Sequence, residues 1–222
     1  MTEIAALKMG HLLCLVYWLG ADLGVFYASY AVTNERLSRE ARLTAARTLF
    51  ALDLAPRVCM TLMLPFGVHL SVRLGLLPAP NWVVPVTWLL CLGWLAMVLT
   101  LHAAKATRAA RLLTPLDFGF RLALIAALAA IGGYSLVAAQ PLVLPWVGLK
   151  LLVFGALVLA GVLIRIRLRP FGPAFARLAR DEMAPGDHLT IRRSLAGTRP
   201  FVLVIWLGLL VETALGLHLI RF

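Results

Sequence analysis

A run of eighteen residues from Leu144 to Gly161 contains one ionisable side chain, Lys150, among apolar residues and glycine. About twenty such residues in a helix cross the roughly 30 Å of hydrocarbon in a bilayer. A charged side chain inside a membrane span is costly and is usually functional. The run therefore predicts a transmembrane helix, and Lys150 is the first candidate for a functional residue.

Apolar residues make up 62% of the 222-residue chain, against about 45–50% in soluble domains. One aqueous core could not hide so much apolar surface, so the composition indicates an integral membrane protein surrounded by a lipid bilayer. Hydropathy separates six spans, at roughly 9–32, 50–76, 82–103, 118–139, 142–164 and 200–220. We therefore predict an all-α fold, a single transmembrane helical domain over residues 1–222.

Basic side chains are concentrated in three loops on one side of the predicted membrane, 33–49, 104–117 and 165–199. These loops hold fifteen Lys and Arg residues, whereas the other side has only Lys8, Arg73 and Arg221. Because cytoplasmic loops carry an excess of Lys and Arg, both termini are predicted to be periplasmic, in a bacterial inner membrane. This topology accounts for the net charge of +11, so nucleic-acid binding is not indicated.

Span one carries a polar stripe, because Trp18, Asp22 and Ser29 fall within about 20° of His11 at 100° per residue. The stripe is predicted to face the interior of the bundle. His11 lies near the periplasmic surface, and Asp22 lies about 16 Å deeper. An unpaired carboxylate at that depth needs a partner or a proton, so Asp22 is a candidate catalytic proton carrier.

Span two begins with Asp53 and Arg57, which are four residues apart on one face, as in a structural ion pair. His69 lies further along the span, about 160° around an ideal helix from Asp53. Either the two ends of the span serve different sites, or Pro65 bends the helix and shifts its phase.

Two other spans carry paired or isolated ionisable residues. Asp117 and Arg121, again four apart, are expected to form a capping ion pair at the start of span four. Span six carries Glu212 near its middle and His218 near its outer end. These two residues are about 120° apart, so they need not share a site.

Lys150 lies in the outer half of span five, about 10 Å from the outer edge. Its stem is long enough to reach partly toward the interface, where no anionic partner is required. The alternative is an anion inside the bundle, for which the candidates are Glu212, Asp22 and the propionates of a porphyrin.

The outward halves of different spans hold His11, His69 and His218, together with Lys150. Neutral imidazoles bind transition metals and haem iron, and two of them on facing helices can hold a haem. The three histidines are therefore candidate metal ligands, and with Lys150 they are candidate cofactor-binding residues. The three cysteines show no C-x-x-C spacing and are expected to be small core residues: Cys14, Cys59 and Cys91.

Two motifs carry a resemblance to a known family. LKMGHLLCLVYWLGADLG combines Lys-x-x-His with Trp-x-Gly, and PWVGLKLLVFGALVLAG combines Trp-x-x-x-Lys with an apolar run. With NERLSREARLTAARTLFALDLAPRVCM after span one and RIRLRP after span five, they resemble the superfamily that groups CopD-like copper-resistance proteins with haem-containing, HemJ-type protoporphyrinogen oxidases. Resemblance to the oxidases implies a bound haem b, with His11 and Lys150 as essential residues. Gly148 occupies a position where those oxidases usually have histidine.

Resemblance to the copper branch implies metal uptake from the periplasm. Soft ligands for Cu(I) are available in Met9 near His11, and in Cys59, Met60 and Met63 on span two. The outer loops contain no Met-rich or His-rich tract.

Three functions are compatible with these features. The first is a haem b redox protein, in which His11 and one other candidate histidine bind the iron and Lys150 neutralises a carboxylate. Asp22 or Glu212 would carry protons, and the electron partner would be a quinone, a porphyrin or another membrane redox partner. The second is copper transport across the inner membrane. The third is a non-catalytic role in a homo-oligomer or a larger membrane complex, in which buried polar residues serve helix association.

Overall fold

In a computed structural model of the chain, the residues described are 2–104, 107–138 and 140–220. The regular structure within those ranges is helical and has no strands, as the sequence predicts. The helices are α1 (Glu3–Thr33), α2 (Arg39–Leu52), α3 (Leu54–Arg73), α4 (Val83–Ala103), α5 (Arg108–Ala138), α6 (Pro145–Arg167), α7 (Phe171–Arg180), α8 (Asp187–Ala196) and α9 (Arg199–Gly216). Position 139 of predicted span four, and Lys105 and Arg221 of the topology count, lie outside the described residues.

Among the described residues, six helical segments are long and apolar enough to cross a membrane, which confirms the predicted fold class. They comprise α1, the α2–α3 pair, α4, α5, α6 and the α8–α9 pair. Local sequence explains several boundaries. The Thr2 hydroxyl accepts a hydrogen bond from the Ala5 amide at 3.4 Å and caps α1. Proline stands in the first turn of α6 and of α9, where its missing N–H costs no helical hydrogen bond.

The two predicted inter-span loops 33–49 and 165–199 are largely helical. Helix α2 occupies the second half of the first loop, and α7 and α8 occupy most of the second. Their apolar residues recur at helical spacing between the arginines and bury one face, a pattern that counting charges does not reveal. These helices form a second core with the end of α1, made of Val32, Ala46, Leu49, Phe171, Ala174, Leu178, Ile191 and Leu195.

An ion pair ties α7 to α8 within this second core. The Arg177 Nε donates to Asp187 Oδ2 at 2.7 Å, and the Ala184 amide donates to the same oxygen at 2.8 Å. The hydrogen bond to Asp187 raises the pKa of the Arg177 guanidinium. The arginine-rich segment is therefore a folded cap on the bundle.

Glycines allow the spanning helices to approach closely. A Cβ on Gly132 of α5 would lie 2.7 Å from the carbonyl oxygen of Gly148 in α6. A Cβ on Gly208 of α9 would lie 2.4 Å from Leu157 Cδ2, also in α6. Helix α6 is thus packed between α5 and α9, and its side chains Phe154, Leu157 and Val158 are in the main apolar core.

The bundle has two chemically different ends. The terminal end comprises the start of α1, the end of α3, the start of α6 and the end of α9. It carries Glu3, Arg73 and Trp146, with His218 just after α9, and Glu3 contacts Arg73 there at 2.9 Å. The basic end carries α2, α7 and α8. The assignment of the basic end to the cytoplasm by the positive-inside rule stays a prediction.

Candidate functional site

Lys150 lies in the second turn of α6, and its partner is a carboxylate inside the bundle. Its Nζ is 3.6 Å from Oε2 of Glu212 on α9, and the two side chains are 21% and 15% exposed. Of the three anions considered for Lys150, the structure therefore supplies Glu212. The Nζ also lies 5.9 Å from the centroid of the Trp146 ring, a cation–π contact.

Space for the lysine head depends on a residue without a side chain. A Cβ on Gly216, at the end of α9, would lie 3.1 Å from Lys150 Nζ. The ammonium group therefore occupies room that any larger residue would restrict.

Glu212 is only half engaged. Its Oε2 faces Lys150, while Oε1 is buried and has no hydrogen-bond partner among the described residues. A buried acceptor without a partner is costly in a purely structural pair. Glu212 thus retains the capacity to bind a donor or a proton.

His11 is the third member of the same region. Its ring packs against α3, where a Cβ on Gly67 would lie 3.4 Å from His11 Cε1. Its Nδ1 is buried without a hydrogen-bond partner in the described part of the chain. Lys150 lies within electrostatic range of His11. His11 of α1 therefore lies at the same end of the bundle as Lys150 of α6 and Glu212 of α9, and we call these three residues the terminal-end site.

His69 is at the same end but in a separate network. Its Nδ1 accepts a hydrogen bond from Trp88 Nε1 at 3.4 Å, and its Nε2 lies 3.2 Å from Glu3 Oε1. Glu3 also accepts from Arg73. Both ring nitrogens of His69 are therefore engaged. Because α3 runs unbroken through Pro65, His69 and Asp53 lie at opposite ends of one helix and serve different sites.

His218 lies beyond the helix on which it was predicted. Helix α9 ends at Gly216, and His218 is exposed with a φ of 55°. Its imidazole packs edge-on against Trp146, with ring centroids 5.0 Å apart. His218 therefore borders the terminal-end site through Trp146, which also contacts Lys150.

The polar stripe of α1 faces the interior, with Trp18, Asp22 and Ser29 at 2%, 8% and 5% exposure. Asp22 Oδ2 is buried and has no hydrogen-bond partner among the residues described. Asp22 lies within electrostatic range of Asp53, to which Arg57 donates a hydrogen bond in the ion pair. Asp22 therefore lies on the side of the basic end, about 16 Å along α1 from His11.

The expected capping pair of Asp117 and Arg121 is instead the buried centre of a larger network. Helix α5 begins at Arg108, nine residues earlier than Asp117, because the mildly polar segment before the apolar run is also helical. Asp117 Oδ1 accepts from Trp94 Nε1 at 3.0 Å, and Oδ2 accepts from Arg121 Nε at 3.0 Å and from Arg165 of α6. We call these four residues the Asp117 network.

Sequence reasoning missed this network because it placed Arg165 in a loop. Helix α6 continues to Arg167, so Arg165 lies within it and reaches Asp117 on α5. The usable signal was an Asp and an Arg four residues apart next to an apolar run, with an Arg at the end of the following span. Three side chains donate hydrogen bonds to Asp117, and a buried carboxylate needs such partners to be tolerated.

Within the described ranges, no group of three or more His, Cys, Asp or Glu side chains is arranged to hold a metal ion. Comparisons of the chain with protein-family models, with curated proteins and with solved structures found no match.

Proposed function

We propose that this chain is a multi-pass inner-membrane redox protein that holds haem b at the terminal end of the bundle. One observation carries the proposal: a buried His11 Nδ1 that has no hydrogen-bond partner among the described residues lies at the same end of the bundle as the Lys150–Glu212 pair. An imidazole nitrogen with no other partner is the donor that haem iron requires. Under the positive-inside rule, this end of the bundle is periplasmic.

The available donors would supply one histidine to a haem iron more readily than two. His11 has one nitrogen with no partner in the described ranges, whereas both nitrogens of His69 are engaged and the exposed His218 packs against Trp146. Haem, when bound, supplies one-electron chemistry, and the protein sets its orientation and surroundings. His11 is therefore the ligand, and the two other candidate histidines border the site.

Lys150 and Glu212 together determine that the site binds an anion. The Lys150 ammonium binds a propionate or a substrate carboxylate, because an ion pair inside apolar surroundings is weakly screened. Glu212 holds a proton when Lys150 turns to such an anion, since its Oε1 has no other partner. Asp22 extends proton transfer along the buried stripe of α1 toward the basic end.

A visible absorption spectrum of the detergent-purified protein tests the proposal. We expect a Soret band, with α and β bands that appear on reduction with dithionite. The variant His11→Ala should lose these bands, whereas the matched variant His69→Ala, at the same end of the bundle, should keep them. A colourless wild-type protein, or unchanged bands in His11→Ala, would contradict the assignment.

Copper transport is a second candidate, because soft side chains gather in one buried cluster. Cys59, Met60 and Met63 of α3 lie in the main core together with Cys14 of α1. Thiols and thioethers are the ligands that Cu(I) prefers. Elemental analysis separates the two candidates, since a colourless protein that retains copper, and loses it in Met63→Leu, would favour transport.

A further inference from the structure

Two of the three cysteines lie in one apolar cluster on neighbouring helices. Cys14 of α1 and Cys59 of α3 are free thiols, 6% and 7% exposed, and both belong to the main core where α1 packs against α3. The third cysteine, Cys91 on α4, is 2% exposed. Sequence spacing gives no sign of this pair, because forty-five positions separate its members.

Both thiols line one groove between α1 and the α2–α3 junction. The groove has a volume of about 440 Å³, and its other lining side chains include Leu13, Tyr17 and Val58. Leu13 and Tyr17 are 46% and 62% exposed. Since α1 spans a membrane, exposed apolar side chains on it contact acyl chains, so the groove opens to lipid. None of the residues that line it is charged.

We propose that Cys14 and Cys59 form a redox-active dithiol that a lipid-soluble quinone, entering the groove from the bilayer, oxidises to a disulfide between α1 and α3. A lipid-facing apolar groove favours an apolar oxidant over a water-soluble one. Of such oxidants, a quinone matches a dithiol because each takes part in two-electron chemistry. This activity goes beyond the proposed haem function and uses no residue assigned to it.

The reaction balances without another reactant. Two S–H bonds break and one S–S bond forms, so the two sulfur atoms are oxidised together by two electrons. Those electrons and the two protons pass to the two carbonyl oxygens of the quinone, which leaves as a quinol. The product ties α1 to α3 covalently at the groove.

Thiol counting in lipid vesicles tests the proposal. The reduced protein is reconstituted without oxygen and treated with a decyl-substituted benzoquinone. It is then denatured and labelled with a maleimide polymer that shifts each free cysteine on a gel. We expect the three adducts of the untreated chain to fall to one, with one quinol formed per chain. A peptide that joins Cys14 to Cys59 should appear in the mass spectrum.

Matched variants locate the reaction. Cys14→Ser and Cys59→Ser should each keep both remaining thiols and form no quinol, and Cys14→Ala provides the same test if the serine variant folds poorly. Cys91→Ser should lose both of its remaining thiols and form quinol like the wild type. Oxidised glutathione, which stays in water, should leave all three thiols free.

Several results would overturn the proposal: three thiols that survive the quinone, equal thiol loss in Cys14→Ser, a quinone adduct on the chain, or a disulfide between chains. Copper that copurifies and protects both thiols would also overturn it. The variant His11→Ala should behave like the wild type in this assay. Failure of the haem proposal and failure of the dithiol proposal are therefore distinguishable.

Discussion

The Asp117 network and the terminal-end site both place opposite charges inside the bundle, but they differ in how fully the carboxylate is used. Asp117 is completely buried, and its two oxygens accept from Trp94, Arg121 and Arg165. Glu212 has one oxygen facing Lys150 and another with no partner among the described residues. Both oxygens of Asp117 therefore have hydrogen-bond donors, whereas only one oxygen of Glu212 has a partner in the described part of the chain.

This difference distinguishes a network that stabilises the fold from a site that can bind a ligand. Asp117 joins α4, α5 and α6, and within the described ranges Arg121 and Arg165 form ion pairs with no other carboxylate, so changing Asp117 leaves the buried Arg121 uncompensated. Glu212 contacts Lys150, whose ammonium group lies where position 216 has no side chain, and it shares this end of the bundle with an imidazole nitrogen that has no partner in the described part of the chain. Stability should therefore depend mainly on the Asp117 network, and ligand binding on the terminal-end site.

The largest effect is expected from Asp117→Ala. It leaves the buried Arg121 and the partly exposed Arg165 near each other without a carboxylate, which should reduce stability by about 3–5 kcal/mol. Unfolding in mild detergent, followed by tryptophan fluorescence, measures the loss. The control is Asp181→Asn, whose side chain is 81% exposed in its contact with Arg39 and should change stability by less than about 0.5 kcal/mol. Equal effects of the two variants would mean that the Asp117 network stabilises the fold no more than an exposed ion pair does.

A smaller loss is expected when the packing of α5 on α6 is disturbed. Gly132→Ala places a methyl group 2.7 Å from the Gly148 carbonyl oxygen, and relief of that overlap should cost about 1–3 kcal/mol. The adjacent variant Gly133→Ala is a matched control, because a Cβ there meets nothing within 4 Å. The same unfolding measurement compares them, and indistinguishable midpoints would mean that the helices do not pack this closely.

Lys150→Met should affect stability less than Asp117→Ala, because Glu212 can become neutral when its partner is removed. The coupling between Lys150→Met and Glu212→Gln in a double-mutant cycle should be about 0.5–3 kcal/mol. Haem content should fall in Lys150→Met and stay at the wild-type level in Lys8→Met, at an exposed position of the same end. A greater loss of stability than in Asp117→Ala would reverse the roles of the two regions.

The smallest effect is expected from Glu3→Gln at the rim of the terminal end. Glu3 contacts Arg73 and His69, but half of its side chain is exposed, so the loss should be about 0.2–1 kcal/mol. The loss should shrink further as salt is added, because exposed charges are screened. A large and salt-independent loss would place Glu3 with the buried pairs.

The six spans could be predicted because each needs only length and hydropathy, and both are local properties of the sequence. The partner of Lys150 could not be chosen, since Glu212 and Asp22 were both acidic residues within spans. Helical angles related residues only within one helix. Contacts between helices, such as Arg165 with Asp117, and clusters such as that of Cys14 with Cys59, depend on how the spans are arranged around one another.

Boundaries explain most of the remaining differences. Hydropathy started span four at 118, whereas α5 begins ten residues earlier at Arg108 and carries Asp117 deep into the bundle. Hydropathy also extended span six past Gly216, where the helix ends and His218 turns out of it. Amphipathic α2, α7 and α8 were hidden because their arginines dominate an average over the segment.

The absence of a side chain at Gly216 determines how much space the Lys150 ammonium group has. Alanine at that position would place a carbon atom 3.1 Å from the ammonium nitrogen, so the Lys150 side chain would have to shift slightly. The last turn of α9 therefore limits where the ammonium group can lie, and Gly216→Ala would change how the terminal-end site holds an incoming anion.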